Sequence, residues 1–194
     1  MQEAESESID EVQYLLKTRT LYIYGDIEDG SALKFIAQLH FLEFHSSDPV
    51  TVYLKSDGGE VNSGYSIISA MKQSPCHITV KAFAACSIAA AILQGADHRQ
   101  IFEDGQVMIH GGQVGGGDLK ASEVAELAEQ TIKENAHYYQ ILARSGQKIE
   151  TIAEWCKGDR YFDAKEALTY GFVDEIIFPA KVFAKKPRKY TKRK

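Results

Sequence analysis

The sequence predicts an α/β fold, in which short buried strands alternate with amphipathic helices. Three β-rich runs, at residues 20–24, 50–54 and 77–80, are each followed by a segment of helical periodicity. Glycine or serine punctuates the chain after each run, as turns between elements require. A length of 194 residues with 44% hydrophobic and 25% charged residues is ordinary for one globular domain with a sizeable core.

The formal net charge of -5 is unevenly distributed along the chain. Residues 1–11 hold five acids and no base, whereas residues 181–194 hold eight bases and no acid. We therefore expect a domain at residues 10–180 between an acidic tail at 1–9 and a basic tail at 181–194. The overall acidity disfavours nucleic acid as a partner, although an acidic partner or nucleic acid stays open as a ligand of the basic tail.

Hydropathy and cysteine content indicate the compartment. No apolar run reaches the roughly 18 to 20 residues that span a bilayer, and the acidic N-terminus is the reverse of a signal peptide. Three cysteines, without CxxC spacing, indicate a reducing environment with neither a disulfide nor a zinc site. We therefore expect a cytoplasmic protein with no membrane partner and no metal.

Periodicity and turn residues predict the elements in chain order. In the helix predicted after Ser31, the spacing puts Leu33, Ile36 and Phe41 on one face. The longest helix, at 119–142, is either an ordinary amphipathic core helix or a projecting helix that packs against a partner subunit. The predicted elements are a helix at 9–17, a strand at 20–24, a helix at 31–44, a strand at 50–54, a helix at 62–72, a strand at 77–80 leading into a helix that ends at Gly95, strands at 99–102 and 107–110 around a turn at 103–105, helices at 119–142 and 148–156, a helix capped by Asp163 and a last strand within 171–177.

Ser87 lies where the third strand turns into an apolar helix. A serine at a first helical turn is surrounded by unsatisfied N–H groups, which either cap onto its hydroxyl or stabilise an oxyanion beside it. By itself the residue is more simply interpreted as the cap of a core helix. The adjacent Cys86 is a rival nucleophile that we disfavour, because small cysteines are common in cores and neighbours in a tight turn point apart.

Three further places in the sequence hold residue types that assist a nucleophilic serine: a pair of glycines, a histidine and an aspartate. Gly58 and Gly59 follow a strand, where glycine allows a sharp turn and a free N–H; a phosphate loop is the weaker interpretation, since neither GxGxxG nor GxxxxGK[ST] is present. His110 ends a strand before a glycine-rich loop, and Asp159 follows a helix in a turn. Each of these two is more often structural when it stands alone.

Taken in order, these motifs resemble the proteolytic subunit of the Clp protease, ClpP, over roughly residues 10–177. The segments that carry the resemblance are Ser56-Asp57-Gly58-Gly59 against the family's SPGG, Ala85-Cys86-Ser87-Ile88 against AASM, Val107-Met108-Ile109-His110 against VMIH, Gly158-Asp159-Arg160-Tyr161-Phe162 against RDRF, and residues 164–174 against APEAVEYGLVD.

The resemblance implies a catalytic triad and an oxyanion hole. Ser87 corresponds to the nucleophile, His110 to the general base and then acid, and Asp159 to the residue that orients His110. A serine hydroxyl needs an imidazole to take its proton, and a carboxylate on the other ring nitrogen fixes the tautomer. The backbone N–H groups of Gly59 and Ile88 match the family's oxyanion donors.

The resemblance also implies a fold and an assembly. The family has a crotonase-like fold of repeated ββα units, with residues 111–117 beside the substrate and 119–142 as a handle helix between rings. Two heptameric rings enclose a chamber, and a hexameric Clp ATPase delivers unfolded chains. We therefore expect a self-compartmentalised serine endopeptidase that acts on peptides and unfolded proteins and needs no cofactor in this chain.

Several departures fall on partner surfaces and leave alternatives open. Thr51 stands where the family has a second aromatic residue of its ATPase-docking pocket, Gly158 replaces an arginine that helps to join rings, and Asp57 replaces the proline of SPGG.

The alternatives are a maturation protease of capsid type that works without an ATPase, and a non-catalytic ring subunit. A crotonase-type acyl-CoA enzyme is disfavoured, because that chemistry does not need this Ser, His and Asp set.

Overall fold

The computed structural model describes residues 11–112 and 120–179. Both predicted tails, and most of the loop that follows His110, lie outside these residues. Within them, no helix combines the length and apolarity needed to cross a bilayer.

Helices and strands alternate along the chain, and the predicted α/β class is confirmed. In order, the elements are α1 Glu11–Thr18, β1 Thr20–Tyr24, α2 Asp29–His45, β2 Val50–Ser56, α3 Val61–Gln73, β3 Ile78–Cys86, α4 Ile88–Gly95, β4 His98–Ile109, α5 Ala121–Leu142, a 3-10 turn at Ala143–Ser145, α6 Ile149–Trp155, β5 Arg160–Asp163, α7 Ala164–Thr169 and β6 Glu175–Ile177.

The sheet explains where a site can form. Strands β1 to β4 are neighbours in sequence order and run parallel, β5 pairs antiparallel with the end of β4, and β6 pairs with its beginning. The register places Ser56 beside Ala85 and Cys86 beside Met108. The carboxyl ends of β2, β3 and β4 therefore meet at one edge, the position where parallel sheets bind ligands.

Helix α4 forms the centre of the core, and every one of its residues is buried. Its small alanine side chains allow close approach to α3, where a Cβ atom on Gly64 would lie 2.2 Å from Cγ1 of Ile88. Glycine at position 64 is thus required for α4 to begin where it does. This packing fixes the first turn of α4 and hence the residue that precedes it.

Two predictions about local structure are wrong. Residues 103–105 do not form a turn between two strands, because β4 is continuous and the four residues 102–105 stand opposite the single residue Phe83 as a large bulge. The buried face of α2 is not the predicted one, and Leu33 is 70% exposed. The apolar residues of α2 are spread around most of its circumference, so the sequence pattern did not define one apolar face. Packing against the rest of the fold buries Ala32, Phe35, Leu39 and Leu42.

Candidate active site

Ser87 occupies a strained turn between β3 and α4. Its φ of 56° and ψ of -128° lie outside the regions that L-residues favour. The backbone holds this conformation from two sides: the Ser87 N–H donates to Met108 O at 2.9 Å, and the Ser87 carbonyl accepts from Ala90 N at 2.9 Å. Strain of this kind, over-determined by neighbouring contacts, is typical of a nucleophile presented at the top of a strand.

His110 lies beside this serine because β3 and β4 are paired neighbours. It is the first residue after β4, and its Nε2 atom is 2.9 Å from Ser87 Oγ. The chain after it is anchored by a hydrogen bond from the Gly111 N–H to Cys156 O at 2.8 Å. The structure therefore brings a hydroxyl and an imidazole together in the geometry of proton transfer.

Asp159 does not join this pair. The antiparallel register pairs Ile109 with Arg160, so the backbone brings Asp159 to the level of His110. Its side chain is exposed, and no hydrogen bond or ion pair links it to His110 within the described residues. The Nδ1 atom of His110 is buried and lacks a partner there. No described residue thus provides the hydrogen-bond partner that this buried nitrogen requires.

One predicted oxyanion donor, Ile88, directly follows Ser87, and the other, Gly59, follows Gly58, which lies against Ser87. Gly59 forms a backbone bridge to Ile27: a Cβ atom at Gly59 would lie 2.2 Å from Ile27 O, and its φ is 145°. Gly58 approaches Ser87 itself, since a Cβ atom there would lie 3.1 Å from Ser87 Oγ. Ile88 is the first residue of α4, so its N–H has no carbonyl one helical turn earlier to accept it. Neither predicted N–H donates to a protein acceptor among the described residues.

The rival nucleophile Cys86 is unsuited to attack. Its side chain is buried, and burial, with a smaller contribution from the charge of Asp57, raises the pKa of the thiol. A thiol becomes a nucleophile as its thiolate. The protonated form of Cys86 therefore dominates near neutral pH.

Sequence reasoning missed two residues of α5 that contact the site. The Tyr138 hydroxyl donates to Ser87 O at 3.0 Å, and Asn135 Oδ1 accepts the Gly112 N–H at 2.7 Å. Their spacing of three residues puts both on one face of the helix. The signal that could have identified them is that Asn135 and Tyr138 place polar atoms at helical spacing on an otherwise apolar face of the helix. No cluster of His, Cys, Asp and Glu suited to a metal occurs in residues 11–112 and 120–179.

A second surface is formed by aromatic rings on the outer face of the sheet. Tyr22 stacks on Tyr53 at 5.6 Å, Tyr53 on Phe83 at 6.0 Å, and Phe83 on Phe102 at 4.2 Å. Tyr24 meets Phe83 edge-on. We call Tyr22, Tyr24, Tyr53, Phe83 and Phe102 the aromatic ladder. Three of its rings, Tyr22, Tyr24 and Phe83, are at least 37% exposed, which is typical of an interaction surface.

Comparison with known proteins gives one consistent result. The family model "Clp protease" matches residues 2–180. An ATP-dependent Clp protease proteolytic subunit from Leuconostoc citreum is 36% identical over 182 residues, covering 88% of each chain. A protein of the same name from Pleurastrum terricola is 32% identical over 179 residues, covering 90% of this chain and 91% of the relative.

A solved structure agrees with these sequence relatives. An asparagine-to-aspartate mutant of ClpP1 from Listeria monocytogenes superimposes with a TM-score of 0.79 at 30% identity, covering 87% of this chain and 96% of the other.

Proposed function

This chain belongs to the Clp protease family and is a serine-type endopeptidase with the ClpP fold; from that premise we propose that Ser87, His110 and Asp159 are its catalytic triad. The observation that carries the proposal is the 2.9 Å contact between His110 Nε2 and Ser87 Oγ at a strained strand-to-helix turn. An imidazole at that distance activates a hydroxyl that is otherwise a weak nucleophile.

The proposed reaction follows from these atoms. Ser87 Oγ attacks the scissile carbonyl while His110 Nε2 takes its proton, and the N–H groups of Gly59 and Ile88 receive the developing oxyanion. When the tetrahedral intermediate collapses, the C–N bond breaks and Nε2 returns the proton to the leaving amine. Water then attacks the Ser87 ester with the same assistance, releasing the carboxylic acid and restoring the serine.

The role proposed for Asp159 requires a movement. For Nε2 to accept a proton, the neutral ring must carry hydrogen on Nδ1, and the resulting imidazolium gains from an anion at that atom. The register pairs Arg160 with Ile109, so the backbone of Asp159 lies level with His110. A change of conformation at Asp159 and the turn before it would bring the carboxylate towards Nδ1. Gly158 favours such a rearrangement, since its Cα is surrounded by open space.

We further propose that the protein works as a ring-shaped oligomer on peptides and unfolded proteins. Exposed apolar side chains on α5, namely Val124, Leu127 and Ile132, suit burial between subunits. We propose that the aromatic ladder binds an apolar segment of a Clp-type ATPase. The rings of Tyr22 and Phe83, which stack on Tyr53, would provide the aromatic surface that is missing because position 51 is a threonine. Its relatives are named as subunits of an ATP-dependent protease.

Active-site labelling tests the catalytic proposal. A fluorophosphonate should modify Ser87 and no other residue, and Ser87→Ala should abolish both labelling and cleavage of a short fluorogenic peptide. Size exclusion with mass detection on the same sample gives the assembly state. A native protein that forms rings yet shows neither labelling nor hydrolysis would instead favour a non-catalytic subunit. The observation that supports this alternative is the buried Nδ1 of His110, which has no partner among the described residues.

A partner assay tests the ATPase proposal separately. Addition of a Clp-type ATPase, ATP and a tagged folded substrate should stimulate degradation in the native protein. Phe83→Ala should remove this stimulation but leave short-peptide cleavage within about twofold, since Phe83 is in the aromatic ladder. Robust peptide cleavage without any stimulation would favour a maturation protease that works alone.

A further inference from the structure

Helix α5 reaches the nucleophile through one buried hydroxyl. The Tyr138 side chain is only 7% exposed, and its hydroxyl donates to the carbonyl oxygen of Ser87 at 3.0 Å. Burial raises the pKa of this phenol well above its ordinary value. The group is therefore protonated and remains a hydrogen-bond donor throughout the range in which the enzyme works.

The carbonyl that Tyr138 contacts belongs to the same peptide group as the N–H of Ile88. A trans peptide is planar, so its C=O and N–H point in opposite directions and rotate together. A restraint on the direction of Ser87 O is consequently a restraint on the direction of the Ile88 N–H. That N–H is one of the two donors proposed for the oxyanion.

This peptide needs an external restraint because it follows a strained residue. Ser87 has a ψ of -128° with a positive φ, a combination that the local sequence does not stabilise. The second donor to the Ser87 carbonyl, the Ala90 N–H at 2.9 Å, lies in the same helix and moves with it. Tyr138 is different, since it comes from another element and fixes the peptide relative to the rest of the fold.

We propose that Tyr138 is a positioning residue, whose hydroxyl holds the Ser87–Ile88 peptide with the Ile88 N–H directed at the oxyanion. The inference rests on the roles proposed above for Ser87 and Ile88. Tyr138 itself does not touch substrate. Its effect should appear only where negative charge develops, in the transition state and in tetrahedral adducts, and not in the binding of the uncleaved peptide.

The variant Tyr138→Phe removes only the hydroxyl and keeps the ring in its pocket. Complete loss of one oxyanion donor lowers kcat by about 100- to 1000-fold, so a misdirected donor should lower it by about tenfold or more. KM should change less than twofold. Affinity for a peptide boronic acid, which forms a tetrahedral adduct on the serine, should fall in parallel with kcat, and the midpoint of the pH–rate profile should not move.

Tyr65→Phe is the matched control. The Tyr65 hydroxyl also donates to a backbone carbonyl, Glu134 O at 3.3 Å, and also lies between α5 and a neighbouring helix. Its removal should leave kcat and boronic acid affinity within twofold of the native values. Replacement of Tyr138 by p-aminophenylalanine restores an N–H donor at the same place and should recover most of the lost kcat.

The outcomes separate this inference from the catalytic proposal. If the native protein is not labelled at Ser87, the proposed function fails first. If the native protein is labelled and active, then a folded Tyr138→Phe with native kcat and boronic acid affinity overturns the positioning role. A rise in KM alone, or a Tyr138→Phe chain that does not fold, would likewise overturn it in favour of substrate binding or a purely structural role.

Discussion

The Nε2 atom of His110 lies 2.9 Å from Ser87 Oγ, while Nδ1 on the opposite side of the same ring is buried and has no partner in the described part of the chain. A buried polar atom left unpaired costs free energy. The imidazole is thus placed for proton transfer, but no described residue lies at Nδ1 to stabilise its protonated form. A rearrangement that brought Asp159 to Nδ1 would complete the proposed triad.

Asp159 is expected to supply that missing acceptor during turnover. Asp159→Asn should lower kcat at least about 100-fold, because a neutral amide neither stabilises the imidazolium nor enforces the required tautomer. Initial rates with a fluorogenic peptide and the second-order rate of fluorophosphonate labelling would both report this loss. Asp104→Asn, another exposed acid on the bulge of β4, is the control and should be unaffected. A loss below threefold at Asp159 would mean that the serine and histidine work as a dyad.

Gly58 should be essential for activity because its Cα lies against Ser87, the proposed nucleophile. A Cβ atom there would lie 2.6 Å from Ser87 Cβ, and the φ of 112° disfavours any L side chain. Gly58→Ala should therefore lower kcat/KM more than about 100-fold and destabilise the fold by about 1–3 kcal/mol. Gly158→Ala, where open space surrounds the site, should change the unfolding free energy by less than about 0.5 kcal/mol. Native-like hydrolysis by Gly58→Ala would show that the turn at Ser87 can shift to accommodate a side chain.

Much of the fold could be predicted from local pattern. The strands β1 and β2 have β-branched and aromatic residues between clear turn signals, and their predicted positions at 20–24 and 50–54 are close to those observed. The bulge at 102–105 could not be foreseen, because Glu103-Asp104-Gly105 has turn composition and only the pairing of the flanking residues Ile101 and Gln106 with β3 keeps the strand continuous. β5 was missed for the same reason, since its pairing with β4 is long-range.

The candidate site shows the same division between local and long-range information. The order of the motifs led to Ser87, His110 and Asp159, whose roles remain predictions. The displacement of the Asp159 side chain from His110 depends on the conformation of one turn, which sequence pattern does not encode. The contact of Tyr138 with Ser87 depends on how α5 crosses α4, and helix periodicity gives only the face of a helix, not its neighbour.

Cys86 should be dispensable for catalysis. Because burial keeps the pKa of its thiol raised, Cys86→Ala should retain kcat within about threefold when measured on the same peptide, in contrast to the inactive Ser87→Ala. Iodoacetamide should modify neither Cys86 nor Cys156 in the folded protein at pH 7, since burial raises the pKa of Cys156 to about 12. If Cys86→Ala lost activity while keeping a native unfolding curve, Cys86 would again be a candidate nucleophile.

The ion pair between Arg99 and Asp174 should make stability depend on pH. Arg99 is 8% exposed, and its guanidinium binds both carboxylate oxygens of Asp174, at 2.5 and 3.0 Å, as well as Gln94 Oε1 and Gly171 O. Burial alone would raise the pKa of Asp174, but the hydrogen bonds and charge of Arg99 lower it overall. The pair joins the start of β4 to the segment before β6.

The sign of the effect follows from the lowered pKa. A carboxyl whose folded pKa is below its unfolded value of about 4 stabilises the protein fully above that pH, and the contribution is lost as pH falls through the folded pKa. Asp174→Asn should lower the unfolding free energy by about 1–3 kcal/mol at pH 7, less than for a fully buried pair because the carboxylate is 34% exposed. The difference between the native protein and Asp174→Asn, from urea unfolding at pH 7 and at successive values below 4, should shrink as pH falls. A difference that stays constant over this range would contradict the assignment.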